Sequence, residues 1–327
     1  MTRGAWLLVL VCGSGCMTTS GSGDLKRELL RFEGPGETGP GWKRVQTPEY
    51  ELLTDLEPDQ ATRAASLLSQ SLSGVEAMFG KAPVAAPRKL TIIAMRDGLD
   101  FERRFGRRTW GFAHTQPDEV TLCLYGPPDR WFVRPEINYQ GTDSVLVHEL
   151  AHAVLGRYFR FQSRWFAEGM AQYLETYQWL DAQTLRLGDP NLASYRKYRA
   201  IRSLSVQDML HWTSMDDRDL KISGLYGLSW AFVHYALNTD RALFGQFLGA
   251  VAEQGPGQAF TLVYGAGGEE LDQAIFRFMK QGSYRQVVLQ VPLTEPASVR
   301  LEKATPEVER RVQERLDVLQ AAMKDFH

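Results

Sequence analysis

The chain has 327 residues, 44% hydrophobic and 23% charged, which excludes wholesale disorder and allows one large domain or two lobes with real cores. Its 37 Lys and Arg against 39 Asp and Glu leave a formal charge of −2, so electrostatics give no reason to expect a nucleic-acid partner. No run of about 18 or more apolar residues occurs, so no bilayer-spanning helix is expected.

Residues 1–16 read MTRGAWLLVLVCGSGC. Arg3 supplies a positive start, and Ala5 to Cys12 is an apolar stretch too short to span a bilayer. Gly13-Ser14-Gly15 then precede Cys16. This resembles a bacterial lipobox, with Gly13 standing where Leu is usual. The resemblance implies a signal peptide over 1–16, cut before Cys16, and a lipid on that cysteine that anchors an exported protein to the cell envelope. Met17, rather than Asp, points to the outer membrane in a Gram-negative host. The alternative is a plain secretory signal with an incidental cysteine. After processing Cys123 stands alone, so no internal disulfide can form, and its alternating surroundings mark it as a buried small hydrophobe. Residues 17–42 are rich in Gly, Ser and Pro and read as a flexible tether.

Tyr50 to Leu53 reads as a strand. Pro58 opens a helix with Ala64, Leu68, Leu72, Val75 and Phe79 on one face, closed by Gly80. Leu90–Met95 and Val120–Leu124 are further strands, giving a small mixed sheet with a helix on one face. From Thr142 the pattern turns helical: Thr142, Asp143 and Ser144 are each able to cap a helix running to Phe159, and a second helix covers Arg164 to Trp179. Thr184–Leu187 suggests a hairpin. Helices are expected near Asn191–Arg202, Val206–Trp212, Leu225–Leu237, Arg241–Glu253 and Leu271–Lys280, with a strand at Val287–Val291. Thr305 and Pro306 open a last amphipathic helix whose Val308, Val312, Leu316, Leu319 and Met323 share a packing face. The expected class is α+β: a sheet with a helix over the start of 43–282, a mostly helical lobe after it, and a C-terminal strand and helix, 283–327, packed on that domain.

Residues 148–152 are His-Glu-Leu-Ala-His. Positions four apart share a helix face, so His148 and His152 can turn two imidazoles towards one ion, and zinc takes such ligands at about 2.0–2.1 Å. Glu149 lies about 100° round the helix, placed for a general base rather than for a ligand. The flanking apolar residues bury this helix, and its polar groups then need a partner that a metal can provide. Leu155 and Tyr158 stand where metzincins carry Gly and His, which excludes that class.

Downstream lies Trp165-Phe166-Ala167-Glu168-Gly169-Met170-Ala171-Gln172-Tyr173. The two motifs together resemble the gluzincin, or peptidase MA-like, zinc metallopeptidases, and in particular the small domains of this kind among bacterial lipoproteins. The resemblance covers roughly 45–280. It implies a zincin-like fold and one zinc ion per chain on His148, His152 and Glu168, with a peptide or protein as substrate and Glu149 as general base. It also implies a substrate lying extended along an edge strand, for which Val120–Leu124 is the candidate. Glu175 is a rival third ligand. Gly169 and Ala171 suit close packing of the second helix on the first, and Gln172 is placed to brace a ligating histidine. Tyr226, in Leu225-Tyr226-Gly227-Leu228-Ser229-Trp230, resembles the tyrosine with which the family holds the oxyanion; His234 is the alternative donor, and a core role for Tyr226 is the plain alternative. Arg103, Arg104, Arg107 and Arg108 form a basic cluster that fits an acidic ligand or a solvated loop. Two other readings stay open: an inactive binding or envelope-assembly module, and a zinc hydrolase acting on a cell-wall amide.

Overall fold

The computed structural model describes residues 41–79, 88–106, 109–131, 144–201, 203–212, 220–291 and 300–324. The lipobox-like segment and Cys16, nearly all of the tether, Gly80, Arg107, Arg108, Thr142 and Asp143 lie outside them. No described helix is long and apolar enough to cross a membrane.

The fold is α+β. Strands β1 (Lys43–Gln46) and β2 (Glu51–Thr54) lead into helix α1 (Pro58–Phe79), β3 (Lys89–Met95), α2 (Gly98–Phe105), β4 (Gly111–Thr115) and β5 (Glu119–Tyr125). With the late strand β9 (Leu301–Lys303) they form a mixed sheet in the order β4-β5-β3-β2-β1-β9. β2, β3 and β5 run parallel; β4 and β1 pair antiparallel to their neighbours. β2, β3 and β5 are buried along nearly their whole length because both faces are covered. Leu52, Leu90, Ile92, Val120 and Leu122 face the core shared with α1 and α3 (Val145–Tyr158). Leu53, Ile93, Met95 and Cys123 face α2 and the last helix, α11 (Pro306–Lys324). Cys123 is a fully buried packing residue, as its alternating context implies.

Ion pairs seat α11 on the sheet: Arg311 reaches Glu51 at 2.9 Å, Arg315 reaches Glu119 at 2.5 Å and Arg104 of α2 reaches Asp317 at 3.4 Å. Arg104 also bonds Asp100, so this member of the basic cluster is a structural residue.

The remaining chain is mainly helical: α4 (Arg164–Leu174), α5 (Leu192–Ala200), α6 (Val206–Leu210), α7 (Leu220–Thr239), α8 (Arg241–Gln254), α9 (Pro256–Tyr264) and α10 (Glu269–Gln281). A second sheet joins β6 (Gln178–Trp179), β7 (Thr184–Leu187) and β8 (Val287–Gln290). The expected helix over 164–179 therefore stops at Leu174. Gln178 and Trp179 pair with β7, and Trp179 packs on α1 opposite Gly74, a tertiary contact that outweighs the local helical period.

Helix α7 approaches two neighbours closely. A Cβ on Gly169 of α4 would lie 2.7 Å from the Ser229 carbonyl oxygen, and one on Gly227 would lie 2.7 Å from Tyr198 Cα and closer still to its backbone nitrogen. Gly169 thus serves the α4–α7 contact, not the expected packing on α3. Gly245 in α8 has open space at the same position. Gly227→Ala is expected to destabilise the fold by about 2 kcal/mol or more through overpacking against backbone, whereas Gly245→Ala gains roughly 0.5–1 kcal/mol of helix propensity. Urea unfolding of the two variants beside the wild type checks both signs.

Candidate metal centre

Helix α3 begins at Ser144, whose Oγ accepts from Val147 N at 3.2 Å, as an N-cap does. Apart from the motif its residues are almost all apolar and buried, so the helix lies inside the molecule and carries His148 and His152 with it. α4 runs alongside and brings Glu168 to them. His148 Nε2 and His152 Nε2 stand 3.2 Å apart; Glu168 Oε2 is 3.5 Å from the first and 3.7 Å from the second. Three atoms each about 2.0–2.1 Å from one tetrahedral zinc lie roughly 3.3–3.4 Å apart, so this triangle matches the ion's ligand set in size and in chemistry. The three residues can hold a metal ion.

Electrostatics reinforce the pairing. Burial works against a charge on His148, but hydrogen bonds with Glu168 and Glu175 outweigh it and hold the imidazole pKa up to about 10. Burial likewise opposes ionisation of Glu168, yet His152 and His148 beside it keep its carboxyl well below the usual range.

Glu175 is not a third ligand in this arrangement. It caps the C-terminus of α4, and its Oε2 accepts from His148 Nδ1 at 2.8 Å, on the far side of the ring from Glu168. That bond keeps a proton on Nδ1, so Nε2 is the nitrogen that would ligate an ion, in exchange for its own proton. Gln172 takes a different part from the one expected. Its Nε2 donates to the carbonyls of Glu168 at 3.2 Å and Tyr226 at 3.3 Å, and its Oε1 accepts from Ser194 Oγ, so the amide is spent on these groups rather than on a histidine. The bracing role falls to Glu175.

Glu149 faces strand β4. A Cβ on Gly111 would lie 3.1 Å from both Glu149 Cγ and the Cys123 carbonyl oxygen, a tight fit that favours glycine where the strand passes the helix. β4, not β5, ends the sheet; β5 lies between β3 and β4, which corrects the expected edge strand. Its short Gly-Phe-Ala-His-Thr sequence carries little strand signal, so its place was not legible. Tyr125 N donates to Trp110 O at 3.1 Å, and antiparallel alternation then turns the peptide groups of Gly111 and Ala113 to the free edge.

Tyr226 stands on α7, and its hydroxyl accepts from Arg164 Nη2 at 2.7 Å. Arg164 is one turn before Glu168 on α4, so the phenol is held against the helix that carries the third ligand. The Arg164 guanidinium also stacks on Trp212, 4.9 Å from its ring centre. His234 is elsewhere: fully buried, it packs against Tyr173 and Trp230 with ring centres 4.7 Å away and against Tyr284 at 5.1 Å. Enclosed this way it cannot meet a substrate oxygen, which removes it as the alternative donor.

With this geometry in view, the comparisons with known proteins add one match. Residues 144–258 match a family model described as "Protein of unknown function (DUF1570)". The matched segment contains His148, Glu149, His152, Glu168, Glu175 and Tyr226. No curated protein matches the chain.

His234 has a consequence for stability. Burial lowers its pKa to about 3. Below about pH 6.5 the unfolded chain binds a proton that the folded chain refuses, so stability falls as the solution is acidified through that range. The wild type is expected to lose about 2 kcal/mol more than His234→Phe between pH 7.5 and pH 5, measured as the difference in urea unfolding free energy at the two pH values.

Proposed function

We propose that this protein is a zinc-dependent peptidase of the bacterial cell envelope, exported and held at the membrane by a lipid on Cys16, that hydrolyses peptide bonds of a peptide or protein substrate. The observation that carries the reading is the joint geometry of the two helices: two imidazoles and a carboxylate converge at ligand spacing, and a second acid, Glu149, stands on the same helix as the imidazoles and lies against Gly111 of the edge strand. A non-catalytic scaffold has no chemical need for that second acid.

His148, His152 and Glu168 would hold the zinc ion, which would supply Lewis acidity towards a carbonyl and a water. Glu149 is placed to take the proton from the attacking water and to return it to the leaving amine. The outward peptide groups of Gly111 and Ala113 offer a substrate strand antiparallel hydrogen bonds, which aligns its scissile carbonyl beside Glu149. Tyr226 supplies the oxyanion donor. Arg164 donates to the phenol oxygen and so holds the hydroxyl on the helix that carries Glu168.

Glu149→Ala should retain about one zinc per chain and lose hydrolysis of a peptide library by about 10²–10⁴-fold, the range of a general base. Glu168→Ala should lose zinc. Metal analysis and peptide cleavage on the same preparations decide the matter. Undiminished turnover in Glu149→Ala overturns the assignment of the base. Absence of zinc from the wild type after reconstitution overturns the peptidase reading and favours a binding or envelope-assembly module.

A further inference from the structure

Asn191 follows Asp189-Pro190 and precedes α5, a position where an asparagine reads as an ordinary helix cap. Its side chain does that work: Oδ1 accepts from Ser194 N at 2.9 Å. That bond also decides which end of the amide is which. With Oδ1 committed to the helix, Nδ2 must point the other way, and there it donates to Glu175 Oε1. The second oxygen of the same carboxylate accepts from His148 Nδ1. Asn191, Glu175, Ser194 and Gln172 are all buried, so water does not compete for these bonds.

We propose that Asn191 is a positioning residue for the metal centre, acting through Glu175 on His148. The inference rests on the reading of His148, His152 and Glu168 as a metal site, and it assigns to the first turn of α5 a part in setting that site's geometry. Glu175 stands past the last turn of α4, at the helix's C-cap, and its carboxylate receives on one oxygen a donor fixed by another helix. This holds the other oxygen on Nδ1 and keeps Nε2 turned to Glu168 and His152. The same turn supports the second helix of the site. Ser194 Oγ donates to Gln172, whose amide bonds the Glu168 and Tyr226 carbonyls. The cap of α5 and the orientation of a ligand on α3 are therefore one hydrogen-bonded chain.

A cap alone and a cap with a positioning role are separable, because Ser and Thr also cap helices but are too short to reach Glu175. Zinc affinity of the full chain is measured by competition with a chelator for the wild type, Asn191→Ser, Asn191→Thr, Glu175→Gln and the double variant Glu175→Gln/Asn191→Ser. The melting temperature of each metal-free form and the visible spectrum of each cobalt-loaded form are recorded beside it. Asn191→Ser and Asn191→Thr are expected to melt near the wild type, to bind zinc about 10–100-fold more weakly and to show altered cobalt bands, the scale of effect typical of outer-shell partners. In the Glu175→Gln background the Asn191 change should cost clearly less, since its effect runs through that carboxylate. Wild-type affinity and spectrum in both Asn191 variants overturn the proposal, as does a full, additive loss in the Glu175→Gln background. Failure of both Asn191 variants to fold, with the cap kept, assigns the bond from Nδ2 to Glu175 to the fold rather than to the metal centre, and also overturns it. Failure of the wild type itself to take up zinc or cobalt overturns the metal-site reading beneath it, an outcome distinct from these.

Discussion

The arrangement of the helical half turns on one cost, that of burying ionisable groups. His148 and Glu175 are almost wholly inside the molecule, and Glu168 lies beside them. Taking such groups out of water costs several kcal/mol each unless every polar atom finds a partner. α3 itself offers His148 only the imidazole of His152, and no acid bonded to it. The other partners come from α4, through Glu168 and Glu175, and from the start of α5, through Asn191. Three helices are thereby tied to one polar cluster, and their relative placement is set by hydrogen-bond lengths as much as by packing of side chains.

Close packing supplies the second constraint. Gly169 lets the α7 backbone approach α4, and Gly227 lets α5 approach α7. Tyr226 lies between these two contacts, next to Gly227, with its carbonyl bonded by Gln172 and its hydroxyl by Arg164. Its main chain is held firmly while its side chain remains partly exposed. A phenol meant only for the core would be enclosed as Tyr173 is, with no such exposure.

Much of this was legible in the sequence, for definable reasons. The four-residue spacing of His148 and His152 is a property of any helix, so their convergence follows once the helix is recognised. Glu168 was legible because its surrounding residues repeat a known pattern. The long amphipathic helices α1 and α11 declared themselves by period. What was hidden depends on contacts distant in sequence. β1, β4 and β9 are three to five residues long and take their strand character from the neighbours they pair with. α2, eight residues long, and α9 were missed as well. Glu175 fitted a ligand as well as a brace by spacing alone; only the end of α4 at Leu174 separates the two roles, and that end is imposed by the pairing of Gln178 and Trp179 with β7. His234 looked like a donor on a helix face because sequence does not show that Tyr173, Trp230 and Tyr284 close around it.

Gly111 joins the sheet half of the molecule to the helical half. β4 passes so near α3 that a Cβ at this position would press on Glu149 Cγ at 3.1 Å. A glycine there resolves the conflict in favour of the acid. Further along the same two elements the roles reverse: Gly156 of α3 makes room for Thr115 of β4. A small residue thus stands on the strand at one crossing point and on the helix at the other. The two contacts are complementary: the strand gives up a side chain where the helix carries Glu149, and the helix gives one up where the strand carries Thr115, so neither element could be changed at these points without the other.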